Sequence, residues 1–239
     1  MEGRYESATM AANQFHELGS RVQDSNASQS FGGHVVVRLW ENNQLTALLN
    51  LLSQFITEHP KMSAWKCASS FFYSENNELE GARIFDSFAE LGFDSIPLDE
   101  TWATAIQMLT GTCCNIGDSK RAEELYDLFL PGKMHHTIVG YGVMSFGSRA
   151  RELGNLAGLM GRFEDAEEHF ELAITQNQKT GATPWVAHSQ FDFARMLSGQ
   201  RNPARKERTR ELVAEAQQTA DLLGMARLKV QIADFLKDF

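Results

Sequence analysis

Small and ring-bearing residues recur at helical spacing in three segments of the chain, 80–93, 121–129 and 165–173. Each segment places a small residue four positions before an aromatic one. The pairs are Gly81 and Phe85, Ala122 and Tyr126, and Ala166 and Phe170. Because four residues span about one helical turn, each pair sets a gap beside a ring on one helix face. The rings are therefore predicted to fill the core.

A fourth segment, 208–224, repeats the third after a shift of about 43 residues, which brings Ala173 onto Ala216 and Gly181 onto Gly224. Repeats at roughly 40-residue spacing are typical of stacked helix pairs. The pattern predicts an all-α fold, a tetratricopeptide-like α-solenoid of about five antiparallel helix pairs. Residues 29–239 would form this array, and residues 1–28 an N-terminal helix that serves as a cap or linker.

Turn signals place the helix boundaries. Breaks are expected at the polar segment 24–30, at 41–43, before Pro60 and at Gly117, because proline and glycine end helices. Proline in the first turn predicts a helix start at 183–185. Almost no segment of the sequence predicts a β-strand. The segment 131–142 is expected to be an irregular connector, longer than the usual turn of such arrays.

Composition narrows the class of partner. The chain has 239 residues, 43% of them hydrophobic, and a formal net charge of −9. This acidic balance argues against a nucleic-acid surface and against binding to anionic lipid. Three cysteines cannot form a disulfide framework, and no long apolar run resembles a signal peptide or membrane span. A reducing cytoplasm is the expected location.

The run GRFEDAEEHFELAITQNQKTGATPWVAHSQFDFARML (161–197) and the segment 208–225 after it resemble a known family. It is the C-terminal tetratricopeptide-like region of bacterial adenylate/guanylate cyclase-type proteins and LuxR-type signal-transduction ATPases. Segments 41–65 and 125–148 resemble the same region, so the similarity covers roughly 30–230. The resemblance implies a sensor or scaffold in signal transduction, since catalysis in those proteins belongs to separate domains.

Motifs for catalysis or cofactor binding are weak. In GTCCNIGDSK (111–120), Lys120 comes three residues too late for a phosphate-binding loop. The neighbouring thiols Cys113 and Cys114 lie in an apolar helix, so we expect them to be buried and unreactive. We expect the same of Cys67. His135 and His136 lack further ligands at zinc spacing. We therefore expect no catalytic site, no metal and no cofactor.

The leading functional hypothesis is a non-catalytic interaction module that holds a peptide or partner helix on the concave face, lined by the first helix of each pair. Exposed polar residues of those helices are the expected contacts, supplemented by the basic run near 201–210. The set is Lys66, Gln107, Arg151, His188, Asp192, Arg205, Lys206 and Arg208.

Two alternatives stay open. A small effector molecule would lie in an aromatic pocket between repeats, held near the connector by Trp102, His135, His136, Tyr141 and Trp185. Separately, an apolar stripe on the C-terminal helix, Leu228, Ile232 and Phe235, either caps the array or pairs with a second copy to form a homodimer.

Overall fold

The computed structural model describes residues 2–21, 25–76, 78–140, 142–200 and 203–239. Within these ranges the chain forms twelve α-helices and one two-stranded antiparallel sheet, which confirms the all-α prediction at this level. The helices are α1 Tyr5–Arg21, α2 Ser25–Glu41, α3 Leu45–Glu58, α4 Ser63–Glu75, α5 Leu79–Leu91, α6 Trp102–Ile116, α7 Ala122–Phe129, α8 Ala150–Leu159, α9 Phe163–Lys179, α10 Thr183–Ser198, α11 Pro203–Leu223 and α12 Ala226–Asp238.

Most predicted helix ends are confirmed. Helix α2 ends at Glu41, α3 ends before Pro60, and α10 begins at Thr183. Gly117 closes α6 with a φ of 73°, a left-handed conformation that glycine adopts at little cost.

The polar break expected over 24–30 is wrong, since α2 already begins at Ser25 and runs through it. Only one side of this segment needs to be apolar: Ala27 is buried whereas Ser28 is exposed. The boundary expected at residue 28 consequently falls inside a helix.

The first helices of successive pairs pack on one another, α4 on α6, α6 on α8 and α8 on α10. Each also packs on the helix that follows it. The predicted core rings Phe85, Tyr126 and Phe170 are buried, as their spacing indicated. Gly81 lies directly against the backbone of α4: an added Cβ there would be 2.5 Å from the Ser74 amide nitrogen. A small residue therefore allows α5 to approach α4 closely.

The connector between α7 and α8 contains a β-hairpin that the sequence pattern did not indicate. Strand β1 is His136–Val139 and strand β2 is Met144–Ser148. Asn177 of α9 accepts a hydrogen bond from the Ser148 amide at 3.0 Å and donates one to the Trp185 carbonyl at 3.2 Å. These tertiary contacts anchor a hairpin too short to be stable alone.

The N-terminal and C-terminal helices meet. Helix α2 packs on α12, and its Trp40 lies against the Trp185 ring of α10 with 6.3 Å between centroids. An ion pair joins Glu75 of α4 to Arg227 of α12 across 152 positions of sequence. The inner face of the first helices is consequently covered by other parts of the chain.

Candidate functional site

A cavity of about 110 Å³ lies between α2, α4, α6 and the hairpin. We call it the hairpin pocket. Its wall is mainly apolar and includes Val36, Ala68, Phe72, Met108 and Phe146. Pockets of this kind, an apolar cleft with a few polar groups, are typical of small-molecule sites.

Trp65 and Thr104 line the pocket, and each carries a buried polar atom without a hydrogen-bond partner among the described residues, the indole nitrogen and the hydroxyl. The Trp65 ring is held by stacking on Phe55 at 4.7 Å, and Thr104 is only 8% exposed. A buried polar group without a partner costs roughly 1–3 kcal/mol. Both atoms are buried beneath the pocket surface, so a ligand reaches them only if the two side chains move.

Charge is scarce around the pocket. Among the described lining residues Glu100 alone is ionisable, and it is exposed at the rim. The pocket interior thus presents a mainly apolar, uncharged surface.

A cluster of charged residues lies nearby on the inner helices, and we call it the inner polar cluster. Glu152 is 2% exposed and accepts hydrogen bonds from Gln107 Nε2 and Arg151 Nε, each at 3.0 Å. Arg151 also faces Asp192, with 3.5 Å between Nη1 and Oδ2, and its guanidinium lies 5.3 Å from the Trp185 ring centroid. Each buried charge in the cluster consequently has an opposite charge beside it, which offsets the cost of removing the charge from water.

Glu41 and His188 form a second buried pair, with 2.8 Å between Oε1 and Nε2. Burial alone opposes ionisation of the Glu41 carboxyl, but His188, Arg227 and Arg151 outweigh it and hold the Glu41 pKa below its ordinary value. The other carboxylate oxygen of Glu41 has no partner among the described residues. This pair fixes the end of α2 against α10.

Aromatic contacts connect the pocket wall with these charges. Phe72 meets Trp40 edge-on at 6.1 Å, and Phe146 meets Trp185 edge-on at 5.6 Å. Trp40 and Trp185 both lie against the His188 ring, at 5.7 and 5.0 Å. Two ring contacts therefore separate the wall of the pocket from the Glu41–His188 pair.

Trp40, Glu75 and Arg227 form a further unit, the Glu75 clamp. Glu75 Oε2 accepts hydrogen bonds from the Trp40 indole at 2.6 Å and from Arg227 Nε at 3.1 Å. The Arg227 guanidinium also lies over the Trp40 ring at 4.1 Å. The clamp ties α12 to α2 and α4.

Four of the predicted partner-binding residues, Gln107, Arg151, His188 and Asp192, lie in these buried charge pairs. Their expected exposure is wrong for Gln107 and His188, which are 4% and 3% exposed. The periodicity of the repeats predicts an open concave face for these side chains. In the structure, α2 and α12 cover that face. Lys66 is exposed, as expected, and lines an open groove of about 560 Å³ between α3, α4 and α5.

The described part of the basic run lies on α11 and is paired within the chain. Arg205 binds Glu167 at 2.6 Å, Arg208 binds Glu211 at 3.1 Å, and the Lys206 ammonium lies 5.5 Å from the Phe239 ring centroid. These local partners offset the cost of positive charge at a helix start.

Of the residues predicted from sequence for an effector pocket, none in the described part of the chain lines the hairpin pocket. Trp102 packs on Phe129, Trp185 belongs to the buried aromatic contacts, and neither His135 nor His136 lines the hairpin pocket. Tyr141 lies outside the described residues. The hairpin instead brings residues such as Val139, Val143 and Phe146 beside α2, α4 and α6, where Trp65 and Thr104 also line the pocket.

Sequence reasoning did not indicate that Trp65 lines a pocket. Trp65, Trp102 and Trp185 all stand near the start of a first helix, so nothing in the sequence favoured one over another.

The C-terminal stripe is used inside the chain. Leu228 and Ile232 are fully buried, and Phe235 contacts Phe191 edge-on at 5.8 Å. The stripe therefore packs on helices of its own chain, and pairing with a second copy stays a prediction.

Cys67 and Cys113 are buried, as predicted. Burial raises the pKa of the Cys67 thiol well above its ordinary value, and raises that of Cys113 to about 12. Within the described residues there is no group of three or more His, Cys, Asp or Glu placed to hold a metal ion. No described helix combines the length and apolar character needed to cross a membrane.

No protein-family model, curated protein or solved structure matches this chain. The functional argument therefore rests on the residues themselves.

Proposed function

We propose that this chain is a non-catalytic regulatory module, tetratricopeptide-like in its helix stacking, that binds a small molecule in the hairpin pocket. One observation carries the proposal: a mainly apolar pocket of about 110 Å³ that α2, α4, α6 and the hairpin form together.

Sensing requires that occupancy of the pocket change something elsewhere. Phe72 and Phe146 line the pocket and touch Trp40 and Trp185 on their other sides. Trp40 in turn donates to Glu75, which holds Arg227 of α12. A ligand that shifts either phenyl ring would thereby bias how firmly the C-terminal helix is held.

A binding role accords better than catalysis with the state of the reactive side chains. Activated cysteine nucleophiles have lowered pKa values, whereas burial raises those of Cys67 and Cys113. His188 and Glu41 are buried and neither lines the pocket. The resemblance of the sequence to bacterial signalling proteins is the support for proposing a role in signal transduction.

The test is a thermal-melting screen of the full chain against one-ring compounds, repeated with Ala68→Leu. Ala68 lines the pocket and is nearly buried, so leucine would occupy its space. We expect hits that raise the Tm of the wild type and lose their effect in Ala68→Leu. Lys66→Glu is the control, because Lys66 is exposed in the other groove and should leave the hits unchanged.

The link to α12 is tested with the same hits by hydrogen exchange. We expect slower exchange at 226–238 when the pocket is occupied. Hits that act equally on wild type and Ala68→Leu would refute the pocket as the site, and binding without any change at α12 would refute sensing through the clamp.

Peptide binding is the second candidate, and the groove around Lys66 favours it. This groove is open, lies on a different side of α4 from the pocket, and combines the Lys66 ammonium with apolar side chains such as Phe88 and Leu91. A short peptide with a carboxylate near Lys66 and an apolar residue beside it would fit. Capture of a protein by wild type and not by Lys66→Glu would support this function, whereas equal capture would refute the groove.

A further inference from the structure

We infer that the groove around Lys66 binds a short peptide segment that carries two apolar side chains three positions apart, with an acidic residue next to the first. The inference rests on the second function proposed above, peptide binding in this groove, and names the kind of peptide. Two observations carry it. The chain fills the neighbouring groove with a segment of this kind, and the groove around Lys66 adds an unpaired positive charge.

The neighbouring groove lies between α5 and α7. It is filled by the start of the connection from α5 to α6, residues 92–101, which forms a 3₁₀ turn that packs on both helices. The Phe93 ring lies 5.3 Å from the Phe85 ring of α5. The Phe93 amide donates a hydrogen bond to the Glu124 carboxylate of α7 at 3.2 Å. The turn therefore bridges two helices that would otherwise leave a gap.

Two apolar side chains of this connection are buried and the residue between them is not. Phe93 is fully buried and Ile96 is only 4% exposed, whereas Asp94 is exposed. Removal of both apolar side chains from water stabilises the turn in its groove. The pattern Phe-Asp-x-Ile consequently suits a gap between two helices that pack on the same third helix.

The groove around Lys66 is the equivalent gap one helix pair earlier. It lies between α3 and α5, which both pack on α4 just as α5 and α7 both pack on α6. The connection that follows α3 is only residues 59–62, and no described segment like 92–101 fills this groove. Apolar side chains of both walls, such as Ile56, Ile84 and Phe88, consequently remain accessible to a second molecule.

Lys66 provides charge complementarity to an acidic residue. It lines the groove from α4, is exposed, and forms no salt bridge within the described ranges. The other charged lining residue is Glu80, whose carboxylate already accepts two hydrogen bonds from Arg83, at 2.9 and 2.8 Å. A peptide carboxylate therefore meets one unpaired cation in this groove.

The length of the groove sets the length of the peptide. The α5 wall extends from Glu80 to Leu91, which corresponds to about 16 Å at the rise of an α-helix. An extended chain covers this distance with about five residues. The chain's own segment 92–97, GFDSIP, is therefore long enough to serve as the probe.

The test uses GFDSIP as a synthetic peptide with an acetylated N-terminus and an amidated C-terminus, so that Asp94 is its only charge. Ligand-observed NMR titration measures its Kd for the full chain, and we expect saturable binding. Peptides with Phe93→Ala or Ile96→Ala should bind at least about tenfold more weakly, because each loses a side chain that the groove buries. The Asp94→Asn peptide should bind about two- to fivefold more weakly, as expected for an exposed charge pair.

A lysine variant tests whether the peptide carboxylate meets Lys66. With Lys66→Gln, the Asp94 peptide and its Asn counterpart should bind equally well, because both changes remove the same charge pair. Lys120→Gln is the control, since Lys120 is also exposed but lies beyond α6, outside the groove, and the preference for Asp94 should persist.

Two leucines of α5 provide a matched pair of variants for the apolar wall. Leu79 and Leu91 are 88% and 73% exposed, but only Leu91 lines the groove. Leu91→Ser should weaken peptide binding several-fold, and Leu79→Ser should leave it unchanged. Unfolding curves verify that every variant is folded.

Equal loss of binding in the two leucine variants, or a preference for Asp94 that survives Lys66→Gln, would overturn the inference. Self-association of the wild type that Leu91→Ser alone removes would also overturn it, because a second copy would then occupy the groove. If no peptide binds but protein capture still depends on Lys66, the peptide class fails and the groove remains a binding site. If capture is independent of Lys66 as well, peptide binding in the groove fails, and the hairpin pocket keeps its separate test with Ala68→Leu.

Discussion

Replacing Arg227 by methionine tests whether the Glu75 clamp holds the C-terminal helix to the rest of the molecule. Arg227 gives Glu75 two hydrogen bonds, one of them from Nε at 3.1 Å, and stacks its guanidinium on Trp40 at 4.1 Å. Methionine keeps much of the apolar length and removes the charge. Glu75 would keep only the Trp40 indole as a donor among these contacts.

The size of the effect follows from burial. The side chains of Arg227 and Glu75 are 10% and 14% exposed. Removing one member of a buried ion pair costs about 3–5 kcal/mol, so we expect Arg227→Met to lower the free energy of unfolding by about 3 kcal/mol. The double variant Glu75→Gln and Arg227→Met should lose at least about 1 kcal/mol less stability than the sum of the two single losses. Each single variant leaves one buried charge without its partner, whereas the double variant removes both charges.

Urea denaturation measures these losses, and hydrogen exchange locates them, with faster exchange expected at 226–238. Lys229→Met is the control on the same helix. Lys229 pairs with Asp221, but both side chains are about half exposed, so its loss should cost less than about 1 kcal/mol. A loss below about 1 kcal/mol for Arg227→Met, or additive single losses, would refute the clamp.

Three further perturbations test other parts of the structure. Gly81→Ala should lower the free energy of unfolding by about 1–3 kcal/mol in urea, because its Cβ would lie 2.7 Å from the Ser70 carbonyl oxygen; an unchanged midpoint would contradict this close approach. Burial lowers the pKa of His169, so the unfolded chain takes up the proton first and stability should fall as the pH drops below about 6.5; His169→Gln should flatten the dependence of Tm on pH over this range. Cys67 and Cys113 should react with a thiol reagent only as fast as the chain opens, and rapid reaction of the folded protein would show that they are not buried.

Local chemistry made much of the secondary structure predictable. Proline and glycine act on the residues next to them, so the ends of α3 and α6 and the start of α10 could be placed without knowing the fold. The spacing of small and ring-bearing residues likewise identified Phe85 and Phe170 as core residues. Where local signals misled, as over 24–30, packing of one helix face decided the outcome.

The candidate site was less predictable because it depends on which helices cover which faces. Helical periodicity brought Arg151, His188 and Asp192 to the inner face, but exposure there depends on whether another element lies over it. Helices α2 and α12 do so, through residue pairs such as Glu41 and His188 that are 147 positions apart. No repeat pattern encodes such a pairing.

The sequence by itself determined that this chain is helical, where several helices begin or end, and that the rings of Phe85, Tyr126 and Phe170 are buried, since each follows from interactions within a few turns. Tertiary structure alone decided that segment 136–148 forms a hairpin, that the hairpin encloses a pocket with Trp65 and Thr104 in its wall, and that Arg227 meets Glu75. A hairpin of this length is stable only against a surface, and buried charges persist only beside their partners. Both conditions depend on residues far away in the chain.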